Sequence, residues 1–120
     1  MERPAVAVAE VSNETGDARY APLARAVTEL VVSDTSSSPR ALRVLRGAGS
    51  STQQVRTTVN GRLILWSGHP SVSLSAVDQR SGRVIWSAIA PGPEDSLPAQ
   101  VHDRIVELKA VIENRQMQPL

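Results

Sequence analysis

The stretch from Arg3 to Asp17 constrains the fold more than any other. Five apolar residues, Ala5 to Ala9, put Val6 and Val8 on one face of an extended chain and the three alanines on the other. An apolar run of that kind belongs in the interior of a sheet, where both faces are buried. The small alanines are expected to let a helix lie close. Asn13, Gly16 and Asp17 then turn the chain. Asp17 is placed to cap a following helix by accepting its free backbone N–H groups.

After Asp17, Tyr20, Leu23, Val27, Leu30 and Val31 recur at spacings of three and four, which predicts a helix over residues 18–33. Pro22 is tolerated in its first turn, where N–H groups lack helical partners. The polar run from Ser33 to Pro39 ends the helix. Leu42, Val44 and Leu45 predict a second strand. Gly47 to Ser51 reads as a turn, and Ser51 to Val59 as a short second helix closed by Gly61.

The pattern then changes to period two. Leu63 to Trp66 is apolar on both faces and predicts an interior strand, followed by a turn from Ser67 to Pro70. From Ser71 to Ala76, Val72, Leu74 and Ala76 alternate inward against Ser71, Ser73 and Ser75 outward. Asp78 to Gly82 is a hairpin loop with glycine where φ must be positive, and Val84 to Ile89 returns as the last strand. Leu97, Val101, Ile105, Leu108 and Ile112 form one stripe of a closing helix, with Asp95 or Ser96 as its cap. The predicted order is β-α-β-α-β-β-β-α, a mixed five-stranded sheet packed by helices in a single domain spanning 1–120. The first two strands are parallel and the last three antiparallel.

Composition narrows the function. The 120 residues carry 13 basic and 12 acidic side chains, a net charge of +1, which gives no general attraction to nucleic acid or anionic lipid. There are no cysteines, so disulfides and thiolate metal sites are excluded and the compartment is left undecided. No apolar run of about 18 residues exists to span a membrane. The amino terminus reads as charged and then strand-like rather than as a signal peptide. With Tyr20, Trp66 and Trp86 as the only aromatics, the core must be aliphatic, and both tryptophans are expected within it.

No catalytic set assembles. His69 sits in a turn, and His102 and Asp103 point in different directions around a helix. Both histidines are expected to be solvated, with no metal and no cofactor. Gly47-Ala-Gly49 follows a strand but stops after two glycines, which favours a plain connector over an anion cradle. Arg40, Arg43 and Arg46 read as charges guarding an edge strand, or as contacts for an acidic partner.

Three groups of residues resemble those of TolB amino-terminal-like domains. Arg3-Pro-Ala-Val-Ala-Val running into Val11-Ser-Asn-Glu-Thr-Gly-Asp17 is similar to that family's first strand and its asparagine, glycine and aspartate turn. Leu42-Arg-Val-Leu-Arg46 with Ser50-Ser51 resembles its second strand and double serine. Val77-Asp78, Ser81-Gly82 and Trp86 resemble its hairpin. The resemblance covers nearly the whole chain, with Val11 where the family has phenylalanine. Arg25 stands where a glycine is common, and the stretch between the second and third strands is shorter. These bacterial domains occur in periplasmic TolB and beside adenylate cyclase, winged-helix regulator and tetratricopeptide modules. CsgG, FlgO and LpoB-type envelope proteins are similar in fold.

The resemblance implies a non-catalytic regulatory or protein-interaction domain, excised from a larger membrane-linked signalling or envelope protein. It implies a periplasmic or extracytoplasmic location, with the cytoplasm as the alternative. The expected partner is a protein, with no nucleic acid and no membrane insertion by this fragment. Asn13, Asp17, Arg40, Arg43, Arg46, Ser50 and Ser51 are the candidate contacts. The alternative function is a small-ligand sensor of a transcriptional regulator or cyclase, using the loops at Asn13–Asp17 and Gly47–Ser51.

Overall fold

The computed structural model describes residues 5–36, 43–46 and 55–117. Strand β1 (Ala5–Val8) is followed by a two-residue strand β2 (Ser12–Asn13), a 3-10 turn (Ala18–Tyr20) and helix α1 (Ala21–Ser36). Strands β3 (Arg43–Arg46), β4 (Val55–Trp66), β5 (His69–Asp78) and β6 (Val84–Ala90) come next, then a second 3-10 turn (Glu94–Ser96) and helix α2 (Leu97–Met117).

The sheet runs β3-β1-β4-β5-β6. β1 is parallel to both β3 and β4, whereas β4, β5 and β6 form an antiparallel meander. This is the expected mixed five-stranded sheet packed by helices, with β2 resuming the line of β1 along β4. Val6, Ala7 and Val8 are all buried, as an interior strand requires.

The helices lie over the valine face of β1, not the alanine face. Val6 and Val8 join Val59, Leu63, Val72 and Leu74 in one core with the stripes of α1 and α2. In α2 that stripe is Leu97, Val101, Ile105, Leu108 and Ile112, all buried as their spacing predicts. Lys109 Nζ donates to the Asp34 carbonyl at 3.1 Å, tying α2 to the end of α1.

Four local expectations change. The helix expected from Ser51 to Val59 is absent over 55–59, which belong to the twelve-residue strand β4; residues 51–54 lie outside the described residues. Val55, Thr57, Thr58 and Val59 are β-branched and favour a pleated, half-buried surface. β4 is paired on both sides, by β1 and β5. Gly61 therefore closes no helix. It sits opposite Leu74, where a Cβ would lie 3.0 Å from Val11 Cγ2 and 3.2 Å from Leu74 Cδ2.

Ser71 is buried instead of outward, because the Gly92 N–H donates to its hydroxyl at 2.9 Å as the chain leaves β6. Neither Asp95 nor Ser96 caps the closing helix. Pro93 holds the cap position of the preceding turn without a side-chain bond, and Ser96 Oγ donates to the Pro93 carbonyl at 2.9 Å.

Candidate interaction surfaces

Strand alternation divides the molecule into two layers. Both helices occupy one face of the sheet. On the other face, among the described residues, no helix or strand lies over Asn60, Arg62, Ile64 and Trp66 of β4 or over Ser73 and Ser75 of β5, whereas Thr58 and Ser71 on the same face are buried. Val84 and Ile89 of β6 continue this face and are exposed. An antiparallel sheet with one open face is ordinarily polar there. Here serines alternate with exposed apolar side chains.

The face ends at a hairpin tip. Ser67 and Gly68 take φ values of 52° and 79°, the two positive angles of a tight hairpin turn. Leu65 and Trp66 precede them and are 47% and 53% exposed. Trp66 is therefore not the core residue its apolar strand predicted: strand alternation turns it to the uncovered face, opposite to the buried Leu63 that meets the helices. Trp86 is half-buried and packs against the core. The turn at Ser67 and Gly68 was expected from the sequence; the exposure of Leu65 and Trp66 just before it was not.

On the opposite layer, an open apolar groove of about 590 Å³ runs between α1 and the start of α2. Leu23, Ala26 and Leu30 line one wall, Leu97 and Pro98 the other, and Glu94 and Asp95 stand with them. Charge follows the same division. The helices and both 3-10 turns hold seven acidic residues (Glu29, Asp34, Glu94, Asp95, Asp103, Glu107, Glu113) against five basic ones (Arg19, Arg25, Arg104, Lys109, Arg115). The strands hold Arg43, Arg46, Arg56 and Arg62 against Asp78 alone.

The turn at Asn13–Asp17 is built from its own hydrogen bonds. Asn13 Nδ2 donates to the Asp17 carbonyl at 2.9 Å, and Asn13 Oδ1 accepts from the Thr15 hydroxyl at 2.7 Å. Gly16 takes φ 82°, which its lack of a Cβ permits. Asp17 caps the 3-10 turn, accepting from the Arg19 N–H at 2.9 Å, as its position predicted. The Arg19 guanidinium also grips its Oδ2 at 2.8 Å. That hydrogen bond holds the Asp17 carboxyl below its ordinary pKa and raises that of Arg19.

Among the described residues β3 is an edge strand, as its arginines suggested, with Arg43 in register with Ala5 and Arg46 with Val8. Arg40, Ser50 and Ser51, with Gly47 to Gly49, lie outside the described residues. Of the candidate contacts, Asn13 and Asp17 belong to the turn before α1, and Arg43 and Arg46 to β3. His69 is exposed, and His102 Nδ1 lies 3.4 Å from Asp34 Oδ1 across the two helices. Among the described residues no three His, Cys, Asp or Glu side chains converge on a metal position.

No family model matches the chain, and no curated protein matches it. Solved structures do. TolB from Acinetobacter baumannii superposes with a TM-score of 0.61 at 11% identity, over 93% of this chain and 29% of that one. The fold is TolB-like. The PelC dodecamer from Paraburkholderia phytofirmans superposes with a TM-score of 0.63 at 20% identity, over 91% of this chain and 88% of PelC. A Xanthomonas campestris protein gives 0.53 at 11% identity, over 96% and 87% of the two chains. At these identities the likeness is one of fold.

Proposed function

We propose that this TolB-like chain is a non-catalytic protein-interaction domain of a bacterial cell-envelope protein, working outside the cytoplasm. The observation that carries the proposal is the exposed hairpin tip, where Trp66 ends the uncovered sheet face and Leu65 stands exposed on the other side of the same strand. Large apolar side chains grouped at a projecting tip mark an association surface more often than a solvated one, and tryptophan is the side chain most enriched at binding hot spots. The fold shared with TolB and with a dodecameric PelC supports an envelope setting. A regulatory role in signalling is the finer form of the same reading, in which the partner's binding is the signal.

The test is recovery of partners from cross-linked cell envelopes with the full-length protein. A Leu65→Ser/Trp66→Ser variant is expected to accumulate like the parent and to lose the envelope proteins the parent retains. Equal recovery by both contradicts the proposal. A thermal-shift screen against nucleotides and metabolites addresses the sensor reading, for which a reproducible rise in melting temperature is required.

A further inference from the structure

Resting on the reading of this chain as an interaction domain, we propose that one of its partners is a second copy of itself. The hairpin tip of one copy, led by Trp66, fills the groove between α1 and the start of α2 on the next.

Three features of the molecule meet in this contact. The first is shape. Trp66 is an exposed apolar knob on the sheet layer, and the groove of about 590 Å³ is an open apolar hollow on the helix layer. A buried aromatic removes about 150–250 Å² from water, the scale of a hot-spot anchor.

The second is charge. The chain as a whole is nearly neutral at +1, yet its two sides differ: the helices and both 3-10 turns hold seven acidic residues against five basic ones, whereas the charged residues of β4, Arg56 and Arg62, are both basic, with Arg62 3.7 Å from Glu14. By strand alternation Arg56 and Arg62 share the face of Trp66, while Glu94 and Asp95 line the groove. Sheet against helix therefore brings opposite charges together, whereas sheet against sheet and helix against helix oppose like charges.

The third is placement. Asn13 is paired with Leu63 just before α1 begins, and Ala90 with Val72 just before the turn that opens α2. Both helix starts thus lie at the hairpin end of the sheet, so knob and groove share an end but occupy opposite layers. Each copy then uses its knob on one neighbour and its groove on another. Such a heterologous contact builds rings or filaments, not a two-fold dimer.

Sedimentation equilibrium of the parent, Trp66→Ser and Ala26→Arg tests this. Both replaced side chains are exposed, so both variants should keep the fold, which circular dichroism checks. The parent is expected to associate with rising concentration, and more weakly as salt is raised. Each variant should weaken association by about tenfold or more, the effect of one lost anchor. Mixed together, the two should form a one-to-one complex and stop there, because Trp66→Ser keeps a groove and Ala26→Arg keeps a knob.

A parent that stays monomeric at every concentration overturns the inference and leaves the proposed function to a different partner. Association that both variants leave unchanged overturns it too. So does a monomeric parent that binds phospholipid vesicles through Trp66. Loss of the envelope proteins in the Leu65→Ser/Trp66→Ser experiment bears on the broader reading, so the two can fail separately.

Discussion

The backbone N–H of Val11 donates to the hydroxyl of Thr28 at 2.9 Å, across the buried contact between the end of β1 and helix α1. Val11 sits where β1 breaks before β2 resumes, so its N–H has left the ladder that Ala9 still joins through the Val59 carbonyl at 2.9 Å. Thr28 Oγ1 in turn donates to the Ala24 carbonyl at 2.9 Å, so the hydroxyl is used in both senses. Thr28→Val keeps the shape and strands the Val11 donor in the core. Chemical denaturation should show a loss of about 1–3 kcal/mol, the cost of one buried unpaired N–H. An unchanged midpoint would mean that another group takes the Val11 N–H.

What could be read beforehand depended on how local its cause was. Asn13, Gly16 and Asp17 act within five residues, so their turn and cap were legible from residue type alone. The stripes of α1 and α2 were legible because a helix repeats its contact every turn. Val55 to Val59 misled because glutamines and a threonine precede it, and only its partners β1 and β5 make it a strand. Trp66 misled because alternation separates the two faces of a strand and does not say which of them another layer covers. The groove was invisible for the same reason, since its two walls are about 70 residues apart.

Gly61→Ala should destabilise the fold although alanine is acceptable in a strand. Its Cβ would meet Val11 and Leu74 in a packed core, and overpacking of this sort costs about 1–3 kcal/mol. The comparison with Asn60→Ala, one residue away on the uncovered face, isolates the packing effect in the same denaturation assay.

The Asp17 carboxyl gives a signed pH dependence. Its pKa is lowered in the fold by the Arg19 guanidinium and the Arg19 N–H. A carboxyl that is more acidic folded than unfolded stabilises the fold above its unfolded pKa, and that contribution fades as pH falls through the folded value. Asp17→Asn should melt below the parent at neutral pH, and the gap should narrow below about pH 4. A gap that is constant down to the acid limit would contradict the ion pair as its source.

The two tryptophans should separate cleanly. Trp86→Ala opens a cavity beside the core and should cost about 3 kcal/mol, the lower end for a large aromatic because Trp86 is half-buried. Trp66→Ser should change stability by no more than about 0.5 kcal/mol, as surface substitutions do. Equal losses at the two positions would return Trp66 to the core and remove the surface on which the functional account depends.

The most direct measurement is photo-cross-linking in living bacteria, with a photoreactive residue in place of Trp66 or, as control, Arg80. Arg80 is exposed in the loop at the opposite end of β5 from the hairpin tip. The account predicts protein adducts of defined mass from position 66 and none from position 80. Lipid adducts alone from position 66, or no adducts there while position 80 is labelled, would contradict it.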